Sequence, residues 1–348
     1  ADPFRTRGES ITAREVLDAG LVRIRSAFQD APEIRASLLG SMGEVYQGLG
    51  LYKTSSELFA ELQSQTLVNA LDPLGRLRFL NSFAETSFNI GDYAKAQELM
   101  EDAQPLLLQN STVGDPVERG RTRNIAAELA MHKGDAQGAD QWLAQNLQAL
   151  GDETRQDTRL QRALSYFNQG QLRLQRRELV EARQAFEKSQ GLRVEVLGRD
   201  HPWVAEIDNA VASIDYDEGK YAQAEQRWKS VLPKFHKYFG ENHPEYSSVL
   251  QNYALTLLER GNFQEAEQWF VQTLKIDQKD KAPDHDDLAY SLNSLGLVQI
   301  GLGQFGKAKA YLDQGIVIAR KHRHRMRLPL LMNRADLACR QRDFQAAA

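Results

Sequence analysis

The chain has 348 residues, a formal net charge of −4 and 42% hydrophobic residues, a composition that excludes wholesale disorder. The near balance of charges predicts no overall attraction to nucleic acid or to an anionic membrane surface. No apolar run approaches the ~20 residues of a membrane-spanning helix, and the single cysteine, Cys339, excludes an internal disulfide and a cysteine-rich zinc site.

The composition favours helices throughout. Leu, Ala, Gln, Glu and Arg abound, whereas clusters of the β-branched residues that favour strands are scarce. Segments such as LLGSMGEVYQGLG and VLQNYALTLLERG place apolar residues at three- and four-residue intervals, which is the period of an amphipathic helix. The chain is therefore predicted to be all-α.

The first predicted element is a helix over ITAREVLDAGLVRIRSAF. Thr12 caps it, and Glu15 stands three residues later, which completes a capping box. Its apolar face is predicted to comprise Val16, Leu17, Leu21, Ile24 and Phe28. We expect residues 1–30 to form a leader and an N-terminal capping helix that covers the apolar end of the elements that follow.

A recurring turn divides the rest of the chain. The segments IGDYAKAQELM, RRELVEARQAF, EGKYAQAEQRW, RGNFQEAEQWF and LGQFGKAKAYL align with one another. The aligned turn residues lie 39 to 43 residues apart and are Gly50, Gly91, Gly134, Arg177, Gly219, Gly261, Gly303 and Arg342. This period indicates helical hairpins, each broken where glycine permits a positive φ. Residues 31–348 are predicted to form one continuous domain of about seven complete repeats and a truncated eighth.

Small residues recur on both sides of each turn. Those before it are Gly43, Ala84, Ala127, Gly170, Ala212, Ala254, Gly296 and Ala335. Those after it are Ser55, Ala96, Ala139, Ala182, Ala224, Ala266, Ala308 and Ala347. A large residue stands four positions beyond each of the first seven of these: Phe59, Met100, Leu143, Phe186, Trp228, Phe270 and Leu312. The pattern predicts two helices that approach closely at the small residues, with the large side chains filling the space between hairpins.

Prolines mark the other boundary of the repeat. They lie near the predicted start of a first helix, where a missing N–H costs nothing, and are Pro32, Pro73, Pro116, Pro202, Pro244, Pro283 and Pro329. The preceding residues Asp72, Asp115, His201 and His243 are predicted to act as N-caps.

These features resemble the tetratricopeptide repeat, whose usual period is about 34 residues. The longer period here, with the segments GRDHPWVAEIDNAVA and GENHPEYSSVLQNYA, is similar to the kinesin light chain type. The resemblance implies a right-handed α-α superhelix in which the first helix of each repeat lines a concave groove. It also implies that the chain binds a protein or an extended peptide in this groove.

Side-chain amides dominate one groove position, and an amide can both donate and accept a hydrogen bond. The predicted binding residues are Arg78, Asn81, Glu85, Arg121, Asn124, Glu128, Asn209, Gln251, Asn252 and Asn293. The amides either grip a peptide backbone, solvate a helix face or bond between neighbouring repeats. The Glu and Arg residues either meet a polar ligand or neutralise each other. The C-terminal half is more apolar, with Tyr216, Leu255, Leu258, Leu297 and Ile300. The predicted ligand is extended, polar at one end and apolar at the other.

The segment from Asp2 to Gly20, with TAREVLDAG, and the later LLGSMGEVYQGLGLY resemble bacterial serine/threonine protein kinases that carry C-terminal tetratricopeptide regions. The resemblance implies a sensory or partner-recruiting region of such a kinase, and we expect both termini to be cuts through a longer protein. Attached to a membrane-spanning kinase, the region would be periplasmic or extracytoplasmic; without the membrane helix it would be cytoplasmic. A stand-alone adaptor of kinesin light chain type and the peptide-sensing region of a transcription regulator remain alternatives.

Three other patterns suggest chemistry that their context disfavours. GLGQFG matches a dinucleotide fingerprint but coincides with the turn at Gly303. His201, His243 and His285 recur at one-repeat spacing, too far apart for a shared zinc ion. The basic run ARKHRHRMR is read as a solvated link and not as a nucleic-acid site. The chain is predicted to be non-catalytic, without cofactor or metal, and its oligomeric state is left open.

Overall fold

The structure is a computed structural model that describes residues 13–28, 30–64, 67–109, 115–152, 154–280, 285–321 and 326–347. Over these residues it contains sixteen α-helices, one short 3₁₀ helix at Leu67–Ala70 and no strand, which confirms the predicted all-α hairpin fold. The N-cap Thr12, the leader before it and Pro283 lie outside the described residues. None of the described helices combines the length and the apolar character that crossing a membrane requires.

The chain divides into two compact units, Ala1–Leu129 (unit 1) and Ala130–Ala348 (unit 2). The boundary falls inside a helix, and the expectation of one continuous domain stays a prediction. Unit 1 contains α1 (Ala13–Ser26), α2 (Pro32–Gly48), α3 (Tyr52–Ser64), α4 (Pro73–Asn89), α5 (Tyr93–Gln109) and most of α6 (Pro116–His132). Its helices pack as antiparallel pairs, α2 with α3 and α4 with α5, and α2 also contacts α4.

The first helix, α1, packs against α2 as the predicted capping helix. Leu21 is buried, and Leu17 and Ile24 pack against the same apolar cluster. Val16 and Phe28 are 55% and 46% exposed, so their predicted place on the buried face is wrong. Val16 lies about 100° around the helix from Leu17, and Phe28 follows the end of the helix with φ 59°.

Unit 2 continues the hairpins. Its helices are α7 (Ala136–Leu150), α8 (Gln156–Gln175), α9 (Leu179–Leu197), α10 (Pro202–Asp217), α11 (Tyr221–Phe239), α12 (Pro244–Glu259), α13 (Phe263–Asp280), α14 (Asp286–Gly301), α15 (Phe305–Lys321) and α16 (Arg327–Ala347). Each packs against the next, and α8, α10, α12, α14 and α16 also contact one another in succession. We call the surface formed by these five helices the first-helix face of unit 2, and its counterpart on α2, α4 and α6 the first-helix face of unit 1.

The predicted turns are confirmed at seven of eight positions. The six glycines have φ between 70° and 84°, and Arg177 occupies the same left-handed region with φ 64°. The turn predicted at Arg342 is wrong, because α16 runs without a break to Ala347. Ala335, the small residue of this last repeat, is exposed.

The predicted pairing of small and large residues is confirmed within both units. A Cβ added to Gly43 would lie 2.6 Å from Cζ of Phe59, and one added to Gly170 would lie 2.5 Å from Cε1 of Phe186. All seven large residues are at most 4% exposed. Close helix approach at each small residue therefore creates the space that the large side chain fills.

The predicted N-caps are present at the first helices. The carboxylate of Asp72 accepts from the backbone N–H of Gly75 at 2.7 Å, and that of Asp115 accepts from Val117 at 3.1 Å. In unit 2, Nδ1 of His201 and His243 accepts from the N–H two residues later, at 3.2 and 3.1 Å. Each histidine thus stabilises the start of a first helix as a neutral acceptor.

Candidate functional site

On the first-helix face of unit 1, the predicted charged residues bind one another. Nε and Nη2 of Arg121 donate to the two carboxylate oxygens of Glu85 at 2.7 and 2.6 Å, which is a bidentate pair. Nη1 of Arg121 lies 3.7 Å from Glu118 and 3.9 Å from Glu44. Arg78 donates to Glu118 at 3.2 Å. We call these five residues the ionic cluster; it joins α2, α4 and α6.

Arg121 is the centre of the ionic cluster. Burial by itself would lower the pKa of its guanidinium, but the carboxylates of Glu85, Glu118 and Glu44 raise that pKa well above its ordinary value. The side chain of Arg121 is only 18% exposed, so water screens these interactions weakly. Arg121 therefore stays charged and holds the three first helices together.

The amides predicted in unit 1 are enclosed by the protein. Asn81 has no exposed surface: its Nδ2 donates to the carboxylate and the backbone oxygen of Glu118, at 2.9 and 3.0 Å, and its Oδ1 accepts from Thr122 at 2.8 Å. Asn124 is 1% exposed, whereas Glu128 is partly exposed on α6. Asn81 therefore bonds between neighbouring repeats, which is one of the three roles that the sequence left open.

On the first-helix face of unit 2, the amides are partly exposed. Oδ1 of Asn209, on α10, accepts from Nε1 of Trp228 at 2.7 Å and from Nδ2 of Asn252, on α12, at 3.3 Å. Trp228 comes from α11 and is 1% exposed, whereas both asparagines are partly exposed. We call Asn209 and Asn252 the amide pair.

A second contact of the same kind occurs two repeats later. Nδ2 of Asn333, on α16, donates to Oδ1 of Asn293, on α14, at 2.8 Å. Asn293 is 8% exposed and Asn333 is partly exposed. Gln251, the predicted residue between these two contacts, is partly exposed on α12. Within unit 2, the structure thus brings asparagines together across successive first helices.

Apolar and phenolic side chains accompany the amide pair. Tyr216, Leu255 and Leu258 are partly buried and pack against the same core cluster as Trp228. Burial, reinforced by the carboxylate of Glu259, raises the pKa of the Tyr216 hydroxyl above its ordinary value. This hydroxyl donates to Glu259 at 3.2 Å, so it stays protonated and uncharged at neutral pH. Tyr216 therefore adds an uncharged, partly apolar side chain beside Trp228.

Sequence reasoning missed two partners that organise these faces. Trp228 is predicted only as a packing residue, and nothing in the repeat pattern distinguishes its N–H from the phenyl edge of Phe186 or Phe270. Glu118 lies in the repeat that follows Arg78 and Asn81, three residues before the equivalent of Arg78 and six before that of Asn81. The sequence signal for Glu118 is a glutamate one helical turn before the repeat equivalent of Arg78.

The arrangement is suited to binding. Among the described residues, no group of three or more His, Cys, Asp or Glu side chains is placed to hold a metal ion. The carboxylates of the ionic cluster are engaged by arginine, whereas the amide pair offers uncharged polar edges beside apolar side chains. Such edges recognise other hydrogen-bonding groups and do not transfer protons at neutral pH.

Comparison with known proteins identifies the repeat. Two family models described as tetratricopeptide repeat match residues 203–279 and 289–322. No curated protein matches the sequence.

Solved structures with a similar fold include a Rap protein complexed with competence and sporulation factor, with a TM-score of 0.55 and 13% identity over 98% of this chain and 91% of that one. NprR in complex with its cognate peptide NprX has a TM-score of 0.54 and 13% identity over 86% and 84% of the two chains. A signal-transduction ATPase with a tetratricopeptide repeat sensor from Pyrococcus horikoshii has a TM-score of 0.53 and 12% identity over 96% and 51%. At these identities the likeness shows the fold.

Proposed function

We propose that this chain, which matches tetratricopeptide repeats over residues 203–279 and 289–322, binds an extended peptide or protein segment on the first-helix face of unit 2. The observation that carries the proposal is the amide pair, whose two partly exposed side chains lie on adjacent first helices and touch each other at 3.3 Å. The Rap and NprR structures support it, because each has a similar fold and is a complex with a factor or a peptide.

The surroundings of the amide pair match the chemistry of an extended chain. A peptide backbone presents both N–H and C=O groups along its edge, and a carboxamide can satisfy either. Leu255, Leu258 and Tyr216 provide apolar surface beside the pair for side chains of the ligand. Because these contacts address the backbone and apolar side chains, the site tolerates a range of peptide sequences.

Selection of a random peptide library displayed on messenger RNA, with the whole chain as bait, tests the proposal. The dissociation constant of a selected peptide is then measured by fluorescence polarisation. Replacing both Asn209 and Asn252 with alanine should weaken binding at least tenfold, about 1.4 kcal/mol. Gln268→Ala on the exposed surface of α13 is the matched control and should leave binding unchanged. Failure to select any peptide, or equal binding by both variants, would overturn the proposal.

We further propose that binding regulates a serine/threonine kinase to which this module is attached, and that the module is extracytoplasmic where a membrane helix joins the two. The support is the resemblance carried by TAREVLDAG and LLGSMGEVYQGLGLY. Determining the gene sequence that precedes the codon for Ala1 tests this proposal. A kinase domain in the same reading frame supports it, and a DNA-binding domain there contradicts it.

A further inference from the structure

The hydrogen bonds of the amide pair have only one possible polarity. The indole Nε1–H of Trp228 is a donor and never an acceptor. The atom of Asn209 that lies 2.7 Å from it must therefore be the oxygen Oδ1, which excludes the flipped carboxamide. Trp228 is 1% exposed within the core of unit 2, so its ring cannot turn away.

The orientation of Asn209 also determines the orientation of Asn252. Oδ1 of Asn209 also accepts from Asn252 at 3.3 Å, and the atom of Asn252 that donates is necessarily its nitrogen, Nδ2. Both lone pairs of Asn209 Oδ1 are then used. Within the part of the chain that the structure describes, Nδ2 of Asn209 and Oδ1 of Asn252 have no hydrogen-bond partner.

We propose that Trp228 is a positioning residue that fixes the orientation of the amide pair. The pair then recognises a peptide backbone in one direction only. Asn209 on α10 then presents only N–H donors, and Asn252 on α12 presents an acceptor. The ligand must place a backbone carbonyl against Nδ2 of Asn209 and a backbone N–H against Oδ1 of Asn252, whose second Nδ2–H is a further donor. This inference rests on the proposed function and adds to it the polarity of the ligand contact.

The second amide contact lacks such a positioning residue. Asn293 accepts from Asn333 at 2.8 Å, but no indole donor reaches its oxygen in the described residues. Both carboxamides there can flip together and exchange donor for acceptor without losing their mutual bond. The register of the ligand is therefore set at Asn209 and Asn252, and the later pair adapts to it.

The first experiment tests this positioning role in the free chain and needs no ligand. Trp228 is replaced by 3-benzothienylalanine, in which sulfur stands for the indole N–H while the shape is kept. The side-chain amide signals of Asn209 are then followed by ¹⁵N NMR. They should be single and sharp in the native chain, and broadened or doubled in the substituted chain, because the carboxamide can flip. Unchanged signals would overturn the positioning role.

The matched control is the same replacement at Trp269 on α13. The Nε1 atom of Trp269 is buried and has no hydrogen-bond partner within the described part of the chain. Substitution there tests the chemistry of the side chain without removing a bond. It should leave the Asn209 signals as they are in the native chain. Trp228→Phe and Trp269→Phe form a second matched pair made from natural amino acids.

The second experiment tests the polarity with a peptide selected from the random library. Single backbone amides of the peptide are replaced by esters, which removes one N–H at a time. One ester should weaken binding to the native chain about fivefold, the effect of one hydrogen bond. That difference between ester and amide should vanish in the chain with 3-benzothienylalanine at position 228 and persist in the control at 269. An ester penalty that is equal in all three chains would overturn the polarity.

The two experiments separate the failure of this inference from the failure of the proposed function. If the native chain selects no peptide, the proposal of peptide binding on this face is wrong. The proposal that the amide pair recognises a backbone in one direction is then wrong as well. The NMR comparison still decides whether Trp228 orients Asn209. If a peptide is selected but neither the NMR signals nor the ester penalty respond to position 228, peptide binding stands and the role of Trp228 is wrong.

Discussion

The first-helix faces of the two units use different chemistry to join successive first helices. In unit 1, the ionic cluster joins α2, α4 and α6 through Arg121 and three glutamates. In unit 2, uncharged asparagines join α10 to α12 and α14 to α16. Charges of opposite sign satisfy each other within the chain, whereas the amide pair keeps one carboxamide atom of each residue without a partner in the described chain. The same repeat can therefore hold its helices together either with or without leaving side-chain atoms available to bind a ligand.

The energetic consequence favours unit 2 as the binding face. A ligand that approached the ionic cluster would have to separate partly buried ion pairs, and removing one partner from such a pair is strongly unfavourable. A ligand that approaches Asn209 and Asn252 replaces water on groups that have no partner in the described chain. We therefore expect the predicted residues Arg78, Asn81, Glu85 and Arg121 to act on stability.

The largest expected effect is local to unit 1. Phe59→Ala removes a fully buried ring that fills the space above Gly43 and contacts the rings of Phe79 and Phe83. We expect a loss of about 4 kcal/mol in the stability of this region. Hydrogen exchange followed by mass spectrometry should show faster exchange in α2–α4 and little change in α12–α15, because each repeat contacts chiefly its neighbours.

Glu57→Ala, at an exposed position of the same helix α3, is the control for Phe59→Ala and should leave exchange unchanged. If Phe59→Ala accelerated exchange to the same degree in α12–α15, the two units would unfold as one and their contrast in stability would be wrong.

The next effect in size comes from the ionic cluster. Arg121→Met keeps much of the side-chain volume but leaves Glu85, Glu118 and Glu44 without their shared cation. We expect a loss of about 3 kcal/mol, measured by urea denaturation, because uncompensated carboxylates remain in a partly buried site. Affinity for a peptide selected on the native chain should not change, since the amide pair lies in unit 2.

Arg25→Met is the matched control for Arg121→Met. Arg25 pairs with Glu61 at 2.5 Å, but its side chain is 47% exposed, and such pairs contribute less than about 1 kcal/mol. Equal losses from the two arginine variants would show that burial of the cluster does not matter. A loss of peptide affinity in Arg121→Met alone would move the binding face into unit 1.

A smaller effect on stability is expected from pH, because the helix caps of the two units differ in whether protonation removes the acceptor near neutral pH. Asp72 caps α4 with a carboxylate, whereas His201 caps α10 with a neutral imidazole. Burial, with the nearby guanidinium of Arg193, holds the pKa of His201 below its ordinary value. Arg193 is itself bonded to Glu206, and the ring of Tyr238 lies 5.6 Å from that of His201. Protonation of Nδ1 would remove the acceptor at the cap.

Because the folded pKa of His201 is lowered, its contribution is present above the unfolded pKa of about 6.5 and is lost as pH falls through the folded pKa. We expect the native chain to lose about 1 kcal/mol more than His201→Asn between about pH 8 and pH 5, since asparagine caps without titrating. Urea denaturation across this range measures the difference. Parallel pH profiles for the two chains would contradict the role of the histidine cap.

Most of the fold could be predicted from the sequence, because its determinants are local and periodic. The turn at Gly219, the small residue Ala212 and the large residue Trp228 recur in register, so the repeat itself identifies which side chains are buried. The failures occur where that periodicity stops. The turn at Arg342 is absent because α16 runs without a break to Ala347, and Phe28 is exposed because α1 has already ended.

The candidate site was less predictable, because its contacts join residues in different repeats. The sequence identified Asn81 and Asn209 as equivalent positions, and equivalence suggested one role for both. Their partners decide otherwise: Glu118 and Thr122 enclose the first amide, whereas the indole of Trp228 orients the second and leaves an edge exposed. Hydrogen-bond polarity depends on which donor lies within about 3 Å, and helical periodicity carries no information on that distance.

The smallest expected effect lies at the turns. Unit 1 has glycine at both of its turns, whereas one turn of unit 2 has Arg177, with φ 64°. A non-glycine residue in this region costs about 1 kcal/mol, and the added freedom of glycine in the unfolded chain returns about half of that. The ion pair of Arg177 with Asp217 spans 3.7 Å at a 72% exposed side chain and contributes little. Arg177→Gly should therefore stabilise unit 2 by about 0.5 kcal/mol in urea denaturation.

Gly134→Ala is the reciprocal control for Arg177→Gly. Gly134 has φ 77°, and a Cβ added there would meet nothing within 4 Å, so only backbone strain opposes the change. We expect a loss of about 1 kcal/mol. If alanine were tolerated at 134 and glycine did not stabilise position 177, the left-handed turn would be held by the packing of Leu143 and Phe186 on either side of it. The turn residue would then matter less than the small and large residues that the repeat places around it.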